Sequence, residues 1–424
     1  MKKMNHYRIL LLLSLVLLSY HPVAGQDLYN ARSLGMAGSN IAINEGNEYI
    51  GANPAVLAYP RDFNFELLLL SAHTMVNNNS FSLTEYDHYF TTGDSLTSQD
   101  INDIFSKIPE KGWRGDFNLG GRILAIYSRP FSLTVGGVGN GFVNFPKDAL
   151  TFPFYGNTVI KEYDLDDLDA EGWGAASLDF AIAFPITQWT PAEFDFVSVG
   201  ITAKYLIGLQ YQDIEESSGT LFTTDEYILA DAHIQSRRSE GGSGYGLDLG
   251  IFGIYEKDWS LSFHLNNLFG EMYWSKNNLS ESITYETDSL FHLSDLTDLS
   301  EIDEYDSVSI GTFRTGLPRK ATVAGAYHYL PNLTFTAAYQ QGLNKTFGNS
   351  NVPQVSAGVE YLPTPVLPLR AGVAVGGNLG FALGLGLGID LKYWQLNLGY
   401  LNHNFRWFRN ARSVDVALTT QFRF

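Results

Sequence analysis

Over Ser413–Phe424 the side chains Val414, Val416, Leu418, Thr420, Phe422 and Phe424 alternate with Asp415, Ala417, Thr419, Gln421 and Arg423. A period of two is the signature of a strand, because successive β residues point to opposite faces. One face is apolar and ends in two aromatics, and the other is polar and charged. Two solutions satisfy such a strand: an amphipathic strand of a soluble sandwich, or a membrane barrel. In the barrel the apolar face meets lipid, the polar face lines the lumen, and aromatics sit at the interface.

The same period recurs along the chain. It predicts strands near Phe63–Val76, Phe117–Tyr127, Phe131–Phe142, Gly174–Phe184, Val197–Tyr211, Gly244–Tyr255 and Trp259–Asn266, and again near Lys320–Tyr329, Asn332–Tyr339, Gln354–Tyr361, Leu369–Gly376, Phe381–Leu391, Trp394–Leu401 and Ser413–Phe424. That is about 14 strands, an even number as bacterial barrels have. The links alternate in length: short at 128–130, 185–195, 256–258, 330–331, 362–368 and 392–393, long at 77–116, 144–173, 212–243, 267–319, 343–353 and 402–412. Only 377–380 is short where a long loop is due. Alternation between short periplasmic turns and long outer loops is a barrel property, which a solenoid or sandwich does not predict. The expected fold is therefore all-β, a transmembrane antiparallel β-barrel of about 14 strands.

Composition removes several alternatives. The 424 residues include no cysteine, so there is no disulfide framework, thiolate metal site, cysteine nucleophile or acylated amino-terminal cysteine. A net charge of -18 opposes nucleic-acid binding, which needs a basic surface. Lys2, Lys3 and Arg8 precede an apolar run at Ile9–Leu18 and small residues at Val23–Gly25, the pattern of a secretory signal peptide cleaved before Gln26. The expected division is a signal peptide at 1–25, an amino-terminal segment at 26–62 and a barrel at 63–424.

The amino-terminal segment carries Ala31-Arg32-Ser33-Leu34-Gly35-Met36-Ala37-Gly38, followed by Ala52-Asn53-Pro54-Ala55-Val56-Leu57-Ala58 just before the first strand. This pairing of an A-R-x-x-G-M-x-G segment with an N-P-A-x-L-A segment resembles the long-chain fatty-acid transporter family of outer-membrane β-barrels. It is similar also to the barrel of that shape that serves as a cargo shuttle in type IX secretion. The resemblance implies 14 strands and an N-terminal hatch inside the barrel, with Gly35, Gly38, Asn53, Pro54 and Ala55 as hatch residues. It further implies passive transport of a hydrophobic small molecule, and a third strand that kinks to open the wall sideways. On that strand Gly136, Gly137, Gly139 and Gly141 interrupt the alternation. Glycine within a strand often marks a bulge or bend. A break in pairing is expected there, facing Asn53–Ala55; a smooth corner is the alternative. A terminal Phe424 resembles the signal that hands such barrels to the barrel assembly machinery, and the implied partners are that machinery, outer-membrane lipid and the solute.

Inward-facing ionisable residues on these strand phases include Arg122, Lys204, Asp248, His264, Glu360 and Arg370. They either line a solute path or pair with one another and with the hatch. Glycines at 384, 386 and 388, facing inward, leave space in the lumen. The acidic run Glu281–Asp306 has carboxylates enough for calcium but no EF-hand spacing, and a solvated loop is the expected state. The histidines show no metal-ligand spacing, and no metal or cofactor is expected. Ser262 and His264 share a strand phase but lack an orienting third group and an oxyanion site, so no catalytic residue is assigned. Three functions follow: a transporter gated by the hatch, a plugged interaction barrel whose acidic loops dock a secreted protein, and a purely structural outer-membrane barrel.

Overall fold

A computed structural model describes residues 30–93, 95–155, 161–223, 227–286, 291–292, 304–377, 380–403 and 410–424. The expected signal peptide and part of the acidic run at 281–306 lie outside them. Fourteen antiparallel strands close on themselves. In chain order they are β1 (Phe65–Asn78), β2 (Trp113–Ser128), β3 (Phe131–Phe145), β4 (Asp169–Pro185), β5 (Phe194–Thr223), β6 (Gly242–Tyr255), β7 (Trp259–Trp274), β8 (Lys320–Leu330), β9 (Leu333–Gly342), β10 (Gln354–Thr364), β11 (Leu367–Gly376), β12 (Gly380–Leu391), β13 (Trp394–His403) and β14 (Ser413–Arg423). The short strand Phe313–Gly316 continues the line of β8 along β7. Each strand pairs with its neighbour in sequence, and β14 returns to β1 with Phe422 opposite Leu67 and Val416 opposite Thr74. Closure removes both sheet edges.

The two-residue period decides which side each residue takes. On β5, Tyr205, Ile207 and Leu209 are about half exposed on the outer surface, while Thr202, Leu206 and Gly208 face in and are buried. On β12, Leu385, Leu387 and Ile389 likewise point out. So continuous an apolar outer band is unstable in water and suited to lipid. At the short-turn end the band finishes in aromatic pairs: Trp259 with Tyr327 at 4.7 Å, Phe194 with Tyr255 at 5.4 Å, and Phe65 and Tyr393 flanking Phe424 at 6.1 and 6.3 Å. Among the described residues no helix is long and apolar enough to cross a membrane, which leaves crossing by strands open.

At the opposite end the connections build structure that the alternation did not predict. β5 runs far past Tyr211 and pairs there with Tyr227–Ser239, which pairs with Leu279–Glu286, which pairs with Glu304–Ser309. Two helices, Ser98–Lys107 and Lys147–Tyr155, close over an apolar cluster of Phe81, Ile104, Phe105 and Ile108. The first helix is capped by Thr97, whose hydroxyl accepts from the Asp100 N–H at 3.2 Å while Asp100 reaches back to Thr97, a reciprocal capping box.

One expectation fails. β3 pairs without interruption through Gly136–Gly141, with β2 from Arg122↔Gly136 to Phe117↔Gly141 and with β4 from Ser177↔Gly136 to Gly172↔Gly141. The register shift nearby lies on β2, between Arg122 and Leu124. None of Gly136, Gly137, Gly139 and Gly141 takes a left-handed backbone. At two of them neighbours fill the missing side chains: the Phe117 ring covers Gly141, and the Arg122 stem lies over Gly136. Aromatic cover of a strand glycine keeps the sheet continuous.

Candidate functional site

The lumen is occupied by the chain's own residues 30–59. Asn30 caps the short helix α1 (Ala31–Gly35), its side-chain oxygen accepting from the Ser33 N–H at 2.8 Å. Gly38, at φ 79, turns the chain into the 3-10 turn Ser39–Ile43; a second such turn, Gly46–Tyr49, leads to Pro54–Ala58, capped by Asn53. These pieces touch the wall all round: α1 meets β11 to β14, Ser39–Ile43 meets β7 to β10, Gly46–Tyr49 meets β1 and β2, and Pro54–Ala58 meets β4 to β6.

Wall glycines make the fit possible. A Cβ on Gly372 would lie 2.3 Å from the Met36 carbonyl carbon, one on Gly384 2.5 Å from the Leu34 oxygen, and one on Gly399 2.3 Å from the Ala31 oxygen. Gly35 sits directly on Gly386 in the same way. The inward glycines therefore receive the backbone of the segment, and the space expected above β12 is filled. Asn53-Pro54-Ala55 rests on Gly200 and Gly250 of β5 and β6. Asn53 donates to the Ile251 carbonyl at 2.7 Å and to Ser262 Oγ at 2.7 Å, so Ser262 serves the wall and the expected juxtaposition with β3 is replaced by β5 to β7.

The predicted lumen charges face inward, and four of them, Lys204, Asp248, Glu360 and Arg370, stand in ion pairs. Arg32 of α1 bridges Glu48 at 2.6 Å and Glu360 of β10 at 2.6 Å; Glu360 also pairs with Arg370 of β11 at 2.6 Å, which donates to Asn397 at 2.6 Å. Lys204 pairs with Asp248 at 2.8 Å. Arg122 donates to the Ile50 carbonyl at 3.0 Å. His264 lines, with Asn30, Glu48, Asn266 and Lys320, a residual polar cavity of about 40 Å³ between segment and wall. Near the short-turn end Arg423 pairs with buried Glu66 at 2.6 Å and reaches Glu45 at 3.5 Å. Largely buried partners of this kind are costly to separate once assembled.

Above the segment, towards the long loops, the inner wall turns apolar. Trp173, Leu206, Tyr211, Met272, Trp274 and Leu317 pack into a buried apolar cluster together with Phe347, whose ring stacks on Trp173 at 4.3 Å between centroids. Phe347 holds a left-handed backbone, φ 51 and ψ 49, uncommon for a bulky residue. Beside it opens a cleft of about 720 Å³ lined by Arg114, Phe142, Glu171, Lys345 and Val352.

Residues 54–400 match the model of a family of unknown function, DUF5723. The chain belongs to this family. No curated protein matches the sequence. Solved structures similar to this DUF5723 barrel include the toluene transporter TodX of Pseudomonas putida (11% identity, 94% of this chain and 99% of that one, TM-score 0.55). The toluene transporter TbuX of Ralstonia pickettii is also similar (13%, 93% and 98%, TM-score 0.53), as is a FadL homologue of Pseudomonas aeruginosa (12%, 95% and 100%, TM-score 0.53). At these identities the likeness establishes the fold: the DUF5723 chain has the fatty-acid and hydrocarbon transporter barrel fold expected from its two amino-terminal motifs.

Proposed function

We propose that this DUF5723 barrel is a passive outer-membrane transporter for hydrophobic or amphipathic small molecules, in its closed state, with residues 30–59 as the hatch. The observation that carries the reading is the manner of filling. A merely structural plug needs only apolar packing, whereas this segment is seated on wall glycines and held by discrete polar contacts around Arg32 and Asn53. Such contacts can be made and broken as a set. The aromatic cluster around Phe347 supplies an apolar surface at the long-loop end, which displacement of Phe347 would offer to a solute with an apolar body. In this reading residues 1–25 are removed, 26–62 form the hatch segment, the long loops face outward, and the barrel assembly machinery recognises Phe424. No catalytic group is assigned.

Purified protein in liposomes tests this. Entry of a fluorescent long-chain amphipath should be saturable and faster than into protein-free liposomes. Absence of protein-dependent entry, for the native chain and for a variant with a loosened hatch, would reject it.

A second reading is supported by two particular features: the lumen is packed, and β3 is laddered through the glycines expected to open it. Both suit an interaction barrel that docks a secreted protein on its outer sheet and helices.

A further inference from the structure

The wall ladder is interrupted at the junction of β7 and β8. β8 pairs with β7 as far as Lys320↔Asn266, and Phe313–Gly316 resumes the pairing at Gly316↔Glu271, so residues 267–270 of β7 have no ladder partner on that side. A single backbone bond, Leu317 N–H to the Gly270 carbonyl at 3.2 Å, lies within the gap. On the other side the register with β6 jumps from Leu249↔Leu265 to Leu247↔Phe269, which bulges Asn267 outward from the ladder at φ 49. Asparagine is among the residues that tolerate this backbone.

Side-chain amides span the gap instead. Asn267 donates to the Pro318 carbonyl at 2.9 Å, accepts from Lys204 Nζ at 3.0 Å, and its N–H donates to Asp248 at 2.8 Å. From the loop above, Asn344 donates to the Leu317 carbonyl at 2.9 Å and accepts from the Arg319 N–H at 2.9 Å. Asn349 donates to the Arg319 carbonyl at 3.0 Å and the Asn344 carbonyl at 2.9 Å. Asn344 and Asn349 bracket the turn Thr346–Gly348, which carries Phe347. Phe347 thus hangs from the stretch of wall that lacks its own ladder towards β7, and Leu317 of that stretch packs in the same aromatic cluster.

We infer that Asn344 and Asn349 are positioning residues that latch Phe347 into the aromatic cluster by gripping Leu317–Arg319, with Asn267 holding the other side of the gap. A latch made of side-chain hydrogen bonds opens without breaking the barrel, because strands 1 to 7 and 8 to 14 keep their ladders. Its consequence for flux rests on the transport reading; its geometry does not.

The chain has no cysteine, so Ala175→Cys places a single thiol in the aromatic cluster, where Ala175 is buried together with Phe347. Adding Asn344→Ala and Asn349→Ala should speed its modification by a water-soluble thiol reagent about tenfold or more, since several hydrogen bonds are lost together. A thiol at Ala183, buried in the separate cluster around Leu57, should keep its rate; acceleration at both positions would mean general loosening and overturn the latch. Unchanged labelling at 175 in a barrel that remains heat-modifiable would also overturn it. If the double variant does not assemble, Asn344→Asp, nearly isosteric but without the donor to Leu317, should accelerate labelling in the same direction, and no change would count against the latch. Solute entry into liposomes separates the two claims: faster labelling with faster entry supports both, whereas faster labelling with unchanged entry keeps the latch and rejects transport through this mouth.

Discussion

Replacing Arg32 by methionine should release the hatch, and the charges around it set how far. Arg32 donates to Glu360 at 2.9 and 2.6 Å, to Glu48 at 2.6 Å and to the Ile43 carbonyl at 3.1 Å, joining the start of the segment to its middle and to β10. After Arg32→Met, Glu360 keeps Arg370 at 2.6 Å, whereas Glu48 keeps only the Glu45 N–H at 3.2 Å. Removing one partner of a buried pair costs about 3–5 kcal/mol, mostly from the charge left behind. At roughly 1.4 kcal/mol per factor of ten, the displaced state gains about two to three and a half orders of magnitude. Hydrogen exchange read by mass spectrometry over residues 30–48 should show that loss of protection, while peptides from β10 and β14 keep theirs. Arg32→Met with Glu48→Gln removes the stranded charge and should recover most of the protection. Native protection in Arg32→Met, or no recovery in the double variant, would refute the argument that stranded charge holds the segment.

Gly372→Val and Gly384→Val each put a side chain where the Met36 or Leu34 carbonyl now lies, and both should displace α1 and raise basal leak of a small dye from liposomes while the barrel stays heat-modifiable. Phe347→Ala should leave a cavity in the aromatic cluster, costing about 3–5 kcal/mol of local packing and increasing quenching of tryptophan fluorescence by acrylamide, because Trp173 loses its stacked ring. In the outer helical cap, the Glu85 carboxyl is held down at about 2: partial burial opposes this, but bonds from the Ser82 N–H and hydroxyl and from Lys107 outweigh it. Since the folded value lies below the ordinary 4.5, that contribution to cap stability is complete above about pH 4.5 and fades as pH falls towards 2. Protection factors in Ser98–Lys107 should therefore drop between pH 5 and pH 3 in the native chain and drop less in Glu85→Gln, where the Asp100 capping carboxyl still titrates.

What the sequence carried, and what it did not, follows from the range of the interactions. Alternation is local, and all fourteen predicted barrel strands overlap observed ones, with Gly244–Tyr255 and Ser413–Phe424 within two residues of the observed limits. The outer extension of β5 to Thr223 was not legible, because beyond Tyr211 the run Gln212–Gly219 has no apolar face to mark a period. Strand phase placed Glu360 and Arg370 inward, but the residue that joins them to the segment, Arg32, stood unremarked within the A-R-x-x-G motif. Its charge in an otherwise apolar, small-residue run was the available signal. The glycines of β3 misled because glycine marks missing bulk without saying whether a neighbour such as Phe117 fills it. Trp173, Phe347 and the asparagines of the wall gap come from three separate connections or strands, and no local pattern brings them together.

The claim that residues 30–59 are a movable hatch is tested most directly by locking them. Ser39 Oγ lies 2.7 Å from Thr336 Oγ1 on β9, so Ser39→Cys with Thr336→Cys places two thiols within reach of a disulfide in a chain that has no other cysteine. Entry of a fluorescent amphipath into liposomes should stop when this pair is oxidised and return on reduction. Equal entry in both states would contradict the hatch.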